Sequence, residues 1–78
     1  MRIFVTGIAG FVGRHLLDSW GAGAEFHGAD HLPLDAMPGA EALRSRLASY
    51  RALDITDAGA MATAVREIQP ETVVHLAA

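Results

Sequence analysis

The sequence predicts an α/β fold in which a parallel sheet carries helices on both faces. Three observations lead there. Short runs of β-branched and aromatic residues alternate with segments of helical period, the links between them are short, and glycines at fixed spacing mark the first strand-to-helix junction. Alternation of that kind makes each strand-to-strand connection a crossover, which sets successive strands parallel and lays the helices over the sheet.

Arg2-Ile3-Phe4-Val5-Thr6 is a buried-strand run that stops at Gly7. From Phe11 the period changes: Phe11, Val12, Leu16, Leu17 and Trp20 recur on one helical stripe, with Arg14, His15 and Asp18 largely off it. The helix is expected to end near Gly21 or Gly23, because glycine suits the left-handed position past a C-cap. Glu25 to Ala29 makes a second strand that ends at Asp30. His31 to Gly39, with Pro33 and Pro38, reads as a loop, and Ala40, Leu43 and Leu47 predict a short helix whose Arg44 and Arg46 face water. Tyr50 to Leu53 is a third strand. Asp57 is a good N-cap for a helix with the buried stripe Met61, Ala64, Val65 and Ile68. Pro70 marks its exit, and Thr72 to Leu76 is a fourth strand.

Composition narrows the function classes. With 78 residues the chain makes one small domain, and 51% hydrophobic against 19% charged residues fits a packed interior. The formal charge of −3 comes without a basic cluster, so a nucleic-acid partner has no counterion-release footprint here. Cysteine is absent, which excludes disulfides, thiolate metal sites and cysteine nucleophiles. Arg2 and the apolar run Ile3 to Val12, with Ala22-Gly23-Ala24 downstream, loosely imitate a signal peptide. Against that reading, glycines interrupt the run and Arg14, His15 and Asp18 charge its continuation. No apolar run reaches the length of a membrane span. The expectation is a soluble, cytoplasmic protein with no membrane partner.

The chemistry concentrates at Gly7-Ile8-Ala9-Gly10-Phe11-Val12-Gly13, between the first strand and the first helix. Gly7 lets the chain leave the strand in a conformation a Cβ would resist. Gly10 removes the side chain where a pyrophosphate would approach the backbone, and Gly13 lets the first helical turn pack closely on the sheet. The amides of Phe11 and Val12 then point from the helix start toward an anion that the helix dipole also favours. The alternative is that these glycines only shape a tight turn. Their strict spacing on that junction favours a phosphate cradle.

Asp30 falls 17 residues after Gly13, at the end of the second strand, where a dinucleotide fold places a carboxylate on the adenosine ribose. A carboxylate there accepts from the ribose hydroxyls and repels the extra phosphate of NADP. His31, Leu32, Ile8 and Ala9 supply no arginine or lysine to receive that phosphate, so NAD is expected. Arg14 is the residue most able to admit NADP instead, and a solvated aspartate ending a strand is the plainer alternative for Asp30. Asp54 ends the third strand, and spacing alone leaves open whether it reaches an adenine amino group. His75 has no second histidine, cysteine or carboxylate at ligand spacing, so no metal is expected. A histidine at a strand end is more often satisfied by backbone than catalytic.

Thr6-Gly7-Ile8-Ala9-Gly10-Phe11-Val12-Gly13 resembles the TGxxGFxG signature of the extended short-chain dehydrogenase/reductase family, the NAD(P)-dependent epimerases, dehydratases and reductases of nucleotide sugars. Leu53-Asp54-Ile55-Thr56-Asp57 resembles the family's segment after the third strand, and His75-Leu76-Ala77-Ala78 its HLAA segment after the fourth. The resemblance implies a partial Rossmann fold of strand order 3-2-1-4 with the remaining strands missing. Residues 1–78 would then be the truncated N-terminal part of an NAD(P)-binding domain, and the fourth strand would present an exposed edge. It also implies roles. Phe11 and Val12 would offer amides to the pyrophosphate, Asp30 would hold the adenosine ribose, Asp54 and Ile55 would contact adenine, and Ala77 and Ala78 would line the cofactor. The run from Ile68 to Ala78 looks closest to the GDP-mannose dehydratase and GDP-4-keto-6-deoxymannose reductase branch. For the full-length protein the resemblance implies a nucleotide-sugar substrate and a homodimer.

The departure is the family's YxxxK pair and its serine or threonine. Tyr50 is the one tyrosine, the residue four on is Asp54, and lysine is absent, so no catalytic residue is assigned in this chain. Two other readings share parts of the pattern. A non-catalytic regulatory or redox-sensing NAD(P) binder shares all of it. A fold-mate for FAD or a methyl donor is disfavoured by the GxxGxxG spacing against the tighter GxGxxG.

Overall fold

The computed structural model describes residues 1–20 and 23–76, apart from the Phe11 side chain. Its elements follow in the order β1 (Arg2–Thr6), α1 (Phe11–Trp20), β2 (Glu25–Asp30), a 3₁₀ turn (Leu34–Ala36), α2 (Ala40–Arg46), β3 (Ser49–Ala52), α3 (Ala58–Ile68) and β4 (Thr72–His75). The four strands form one parallel sheet of order β3-β2-β1-β4: the alternating pattern predicts a parallel sheet, and the family resemblance implies this partial Rossmann order. Because all strands run the same way, Thr6, Asp30, Ala52 and His75 gather at the same end of the sheet.

β1 is central, and its alternation splits the core into two layers. Ile3 and Val5 pack with Ile8, Leu17 of α1, Phe26 of β2 and Leu43 of α2 on one face. Phe4 packs with Ala29, Ala64 and Ile68 on the other, under α3. Helices therefore cover both faces, α1 and α2 on one and α3 on the other. Trp20 closes the far end of α1 with its ring edge-on to Phe26, centroids 6.0 Å apart.

α3 begins where the sequence places its cap. Asp57 Oδ1 accepts from the Ala60 N–H at 3.0 Å, satisfying one of the amides a helix start leaves open. Strand ends differ from the sequence reading by one residue: β3 starts at Ser49, and β4 stops at His75. The hydrogen bonding continues past those ends, from Leu53 N to Asp30 O at 2.9 Å and from Leu76 N to Thr6 O at 3.0 Å. α1 ends at Trp20, and Gly23 has a left-handed φ of 97°; Gly21, the other glycine expected near the helix end, lies outside the described residues.

Several expectations need correction. Val12 and Val65 are 60% and 39% exposed, so neither belongs to the buried stripe of its helix. Val12 sits in the first turn of α1, beyond the strand ends, where Gly13 takes the buried place. Val65 flanks a narrower contact made by Ala64 and Ile68. The segment read as a loop before Gly39 contains the 3₁₀ turn. Arg44 and Arg46 are exposed but engaged: Arg44 pairs with Asp35, and Arg46 bridges Asp18 at 2.8 Å and the Leu17 carbonyl at 2.6 Å, tying α2 to α1.

Candidate functional site

The glycine loop leaves β1 at the carboxyl end of the sheet. Gly7 adopts a φ of 76°, a left-handed conformation that a Cβ disfavours, and its amide bonds to the Ala29 carbonyl at 2.8 Å. The Gly10 amide turns back to the Gly7 carbonyl at 3.2 Å, and α1 starts at Phe11. The first bond of the helix runs from Arg14 N to Gly10 O at 3.1 Å. The amides of Phe11, Val12 and Gly13 consequently have no partner within the helix, and Gly10 has no side chain to cap them. They form the positive end of the α1 dipole, open at the strand ends.

The glycines differ in what they accommodate. A Cβ on Gly13 would lie 2.5 Å from the Ile8 carbonyl oxygen, so close approach of helix and loop requires its absence. That contact is with the loop backbone, rather than with the sheet as the sequence suggested. Gly10 is exposed, and a Cβ there would meet only the Gly7 carbonyl, at an ordinary 3.4 Å. The fold has no use for a glycine at Gly10.

Asp30 stands beside this loop. Its Oδ2 accepts from the Ala9 N–H at 3.1 Å, and its Oδ1 accepts from the His31 amide and faces His31 Nδ1, each at 2.8 Å. With its side chain only 13% exposed, burial pushes the Asp30 carboxyl up. The hydrogen bonds from the His31 amide and ring and from the Ala9 amide outweigh that and hold it below the usual carboxylate range. It is therefore an anion at neutral pH. Its oxygens retain acceptor capacity, since an ionised carboxylate offers about four lone-pair sites.

The structure brings Gly7, Gly10, Phe11, Val12, Gly13 and Asp30 into one cradle. Asp54 and Ile55 follow β3, whose exit is tied to Asp30 through the Leu53 amide. Asp54 itself serves its own turn. Its Oδ1 accepts from the Thr56 hydroxyl at 2.7 Å and the Thr56 amide at 2.9 Å, and these bonds lower its pKa. Ala77 and Ala78 lie outside the described residues.

Three contacts were missed from sequence. Arg14 Nε donates to the Ala9 carbonyl at 3.2 Å and Nη2 donates to the Pro38 carbonyl, so the cation that was the candidate receiver for NADP is committed to backbone. The Ala9 amide, read only as an uncharged loop position, is a ligand of Asp30. His75 Nδ1 faces the buried Thr6 hydroxyl at 2.7 Å, across the β1–β4 register, in place of the expected backbone partner. The register of neighbouring strands would have revealed that last pair; the first two need the folded loop.

One concavity lies between α1 and α2 beside Leu17 and Ala42, and another between the end of β3 and the start of α3 beside Leu53 and Thr63. The cradle is open surface, and its donors are backbone amides. Among the described residues, no group of three or more His, Asp or Glu could hold a metal ion, and no helix is long and apolar enough to cross a membrane.

The sequence model of the NAD dependent epimerase/dehydratase family matches residues 3–78. The chain belongs to that family. NAD is the family's cofactor, and the cradle fits it: open amides at the α1 start, a glycine over them that the fold does not need, and a carboxylate at the end of β2. Among solved structures, dTDP-glucose 4,6-dehydratase from Bacillus anthracis, crystallised in complex with NAD, has a TM-score of 0.74 and 21% sequence identity to this chain. The match covers 100% of this chain and 27% of that enzyme, so the chain spans about a quarter of its length. At that identity the likeness shows the shared fold. No match was found among curated proteins.

Proposed function

We propose that this family member binds NAD at the glycine cradle and supplies the cofactor-holding, N-terminal part of a nucleotide-sugar epimerase, dehydratase or reductase. The amides of Phe11 and Val12 receive the pyrophosphate, Asp30 holds the adenosine ribose, Asp54 and Ile55 contact the adenine, and the family resemblance assigns Ala77 and Ala78 to the cofactor as well. NAD, when bound, supplies hydride transfer to and from a sugar carbon. The residues of this chain bind and orient it. Asp30 selects NAD over NADP by like-charge repulsion of a 2′-phosphate.

Tyr50 does not carry the proton of such a reaction. Its hydroxyl donates to the Leu32 carbonyl, and its pKa is pushed up to about 12, first by burial and then by the nearby Asp30 charge, against a backbone contact at Asp30 that lowers it. A proton shuttle needs a pKa moved toward neutrality. In this reading the proton-transfer residues, the sugar pocket and the homodimer contact are supplied by other parts of the full-length protein. The run from Ile68 to Ala78 supports placing its substrate with the GDP-mannose dehydratase and GDP-4-keto-6-deoxymannose reductase branch.

The observation that carries this reading is Gly10, open to solvent above the α1 amides with room for a Cβ. Gly10→Ala and Gly10→Val are expected to leave the circular dichroism spectrum intact while NAD affinity, measured by calorimetry, falls stepwise with side-chain size. Wild-type affinity in Gly10→Val would overturn the assignment.

A further inference from the structure

The backbone of Ala9 is gripped on both sides by opposite charges. Its N–H donates to Asp30 Oδ2 at 3.1 Å, and its carbonyl accepts from Arg14 Nε at 3.2 Å. The first contact fixes the peptide plane between Ile8 and Ala9; the second fixes the plane between Ala9 and Gly10. With both planes set, the backbone angles of Ala9 are set too, and the Gly10 amide is aimed back at the Gly7 carbonyl at 3.2 Å. Bonds of this kind to ionised groups are roughly twice as strong as those between neutral partners.

Arg14 also reaches outward. Its Nη2 donates to the Pro38 carbonyl, and the guanidinium lies against Gly39, where a Cβ would stand 2.5 Å from Nη1. Glycine at Gly39, with a left-handed φ of 71°, thus leaves the space the guanidinium fills. The cation is held between two carbonyl oxygens, both in the backbone.

We infer that Arg14 is a positioning residue for the glycine loop: with Asp30 it sets the Ala9 backbone, and through Pro38 it couples the loop to the segment joining β2 and β3. The inference rests, for its ligand arm, on the NAD reading above. Arg14 acts on the cofactor through the loop and does not receive a phosphate. Its loss therefore weakens every dinucleotide alike, whereas loss of a phosphate receiver would weaken NADP alone. That difference separates the two roles.

The test uses the full chain, labelled with ¹⁵N, as wild type, Arg14→Met and Arg14→Lys. In Arg14→Met the Ala9 and Gly10 amides are expected to exchange with solvent about tenfold faster, the scale set by one hydrogen bond to a charged group. NAD and NADP affinities are expected to fall by a common factor. Arg14→Lys, whose single ammonium reaches one carbonyl in place of two, should lie between the two proteins in both readouts. Wild-type exchange at Ala9 and Gly10 in Arg14→Met overturns the inference whether or not NAD binds, and so does a loss confined to NADP. If Arg14→Met does not fold, the same two results in Arg14→Lys decide it. A wild type that binds no NAD, with exchange that still responds to Arg14, sinks the cofactor reading and leaves the positioning role standing.

Discussion

Gly13 lies against the backbone of Ile8 so closely that a Cβ on Gly13 would stand 2.5 Å from the Ile8 carbonyl oxygen and 2.9 Å from its carbonyl carbon and Cα. Ile8 is fully buried in the core layer under α1, so neither partner shifts without disturbing packing. The contact decides where α1 begins relative to the loop and hence where its open amides stand.

Gly13→Ala should therefore destabilise the protein. Alanine is the better helix former by about 1 kcal/mol, but overpacking against buried backbone costs about 1–3 kcal/mol, and a 2.5 Å approach places this site at the upper end. A net loss of about 2 kcal/mol in urea unfolding is the expected outcome. An unchanged or raised midpoint would show that the helix and loop are not in contact there.

The loop and the sheet were legible in the sequence because both are written in local pattern. Three glycines on a junction where the apolar period changes, Asp57 ahead of a helical stripe, and a carboxylate closing the second run need no tertiary knowledge. What escaped depends on it. The Ala9 clamp joins Asp30 to Arg14 through a residue with no polar side chain. Val12 and Val65 have the residue type and spacing of core positions, yet burial is decided by where the sheet ends and how narrow its contact with a helix is. His75 meets Thr6 through the β1–β4 register: the strand order 3-2-1-4 already sets those strands side by side, but which residues face each other is not written in either run alone.

Thr6→Val tests that adjacency. Thr6 is fully buried, and its hydroxyl stands 2.7 Å from His75 Nδ1, the one bond linking side chains across the β1–β4 seam at the site end among the described residues. Valine keeps the shape and deletes the partner. A loss of about 1 kcal/mol is expected, the usual net worth of such a bond, together with a changed tautomer signal for His75 in ¹⁵N spectra. If neither stability nor the imidazole signal moves, the pair does not form in solution.

Asp30 makes stability depend on acid in a defined direction. Its pKa lies below the unfolded value of about 3.9, so the folded state favours the ionised form. That contribution is fully present above the unfolded pKa and is lost as pH falls through the lower, folded one. Asp30→Asn removes the charge at every pH. The stability gap between wild type and Asp30→Asn should accordingly be widest near neutrality and close as pH drops below about 4, read from urea midpoints. A gap that is constant with pH would mean the Asp30 carboxylate is not stabilised by the Ala9 and His31 amides. The same variant should narrow the NAD-over-NADP preference in calorimetry, since the repelling charge is gone.

Tyr50 gives the opposite sign and a clean signal. It is the one tyrosine of the chain, so phenolate absorbance near 295 nm reports it alone. Burial, and then the charge of Asp30, push its pKa up to about 12, against about 10 for an exposed phenol. The folded state therefore favours the neutral hydroxyl, which donates to the Leu32 carbonyl. That contribution is complete below about pH 10 and is lost as pH rises through the folded value. Titration should show a midpoint well above that of denatured protein, and Asp30→Asn should lower it by removing the nearby anion while leaving the burial unchanged. A midpoint at the ordinary phenolic value would show that neither burial nor the Asp30 charge acts on Tyr50 as the structure places them. A midpoint that is raised but indifferent to Asp30→Asn would assign the whole shift to burial and place the Asp30 carboxylate farther from the ring than the structure does.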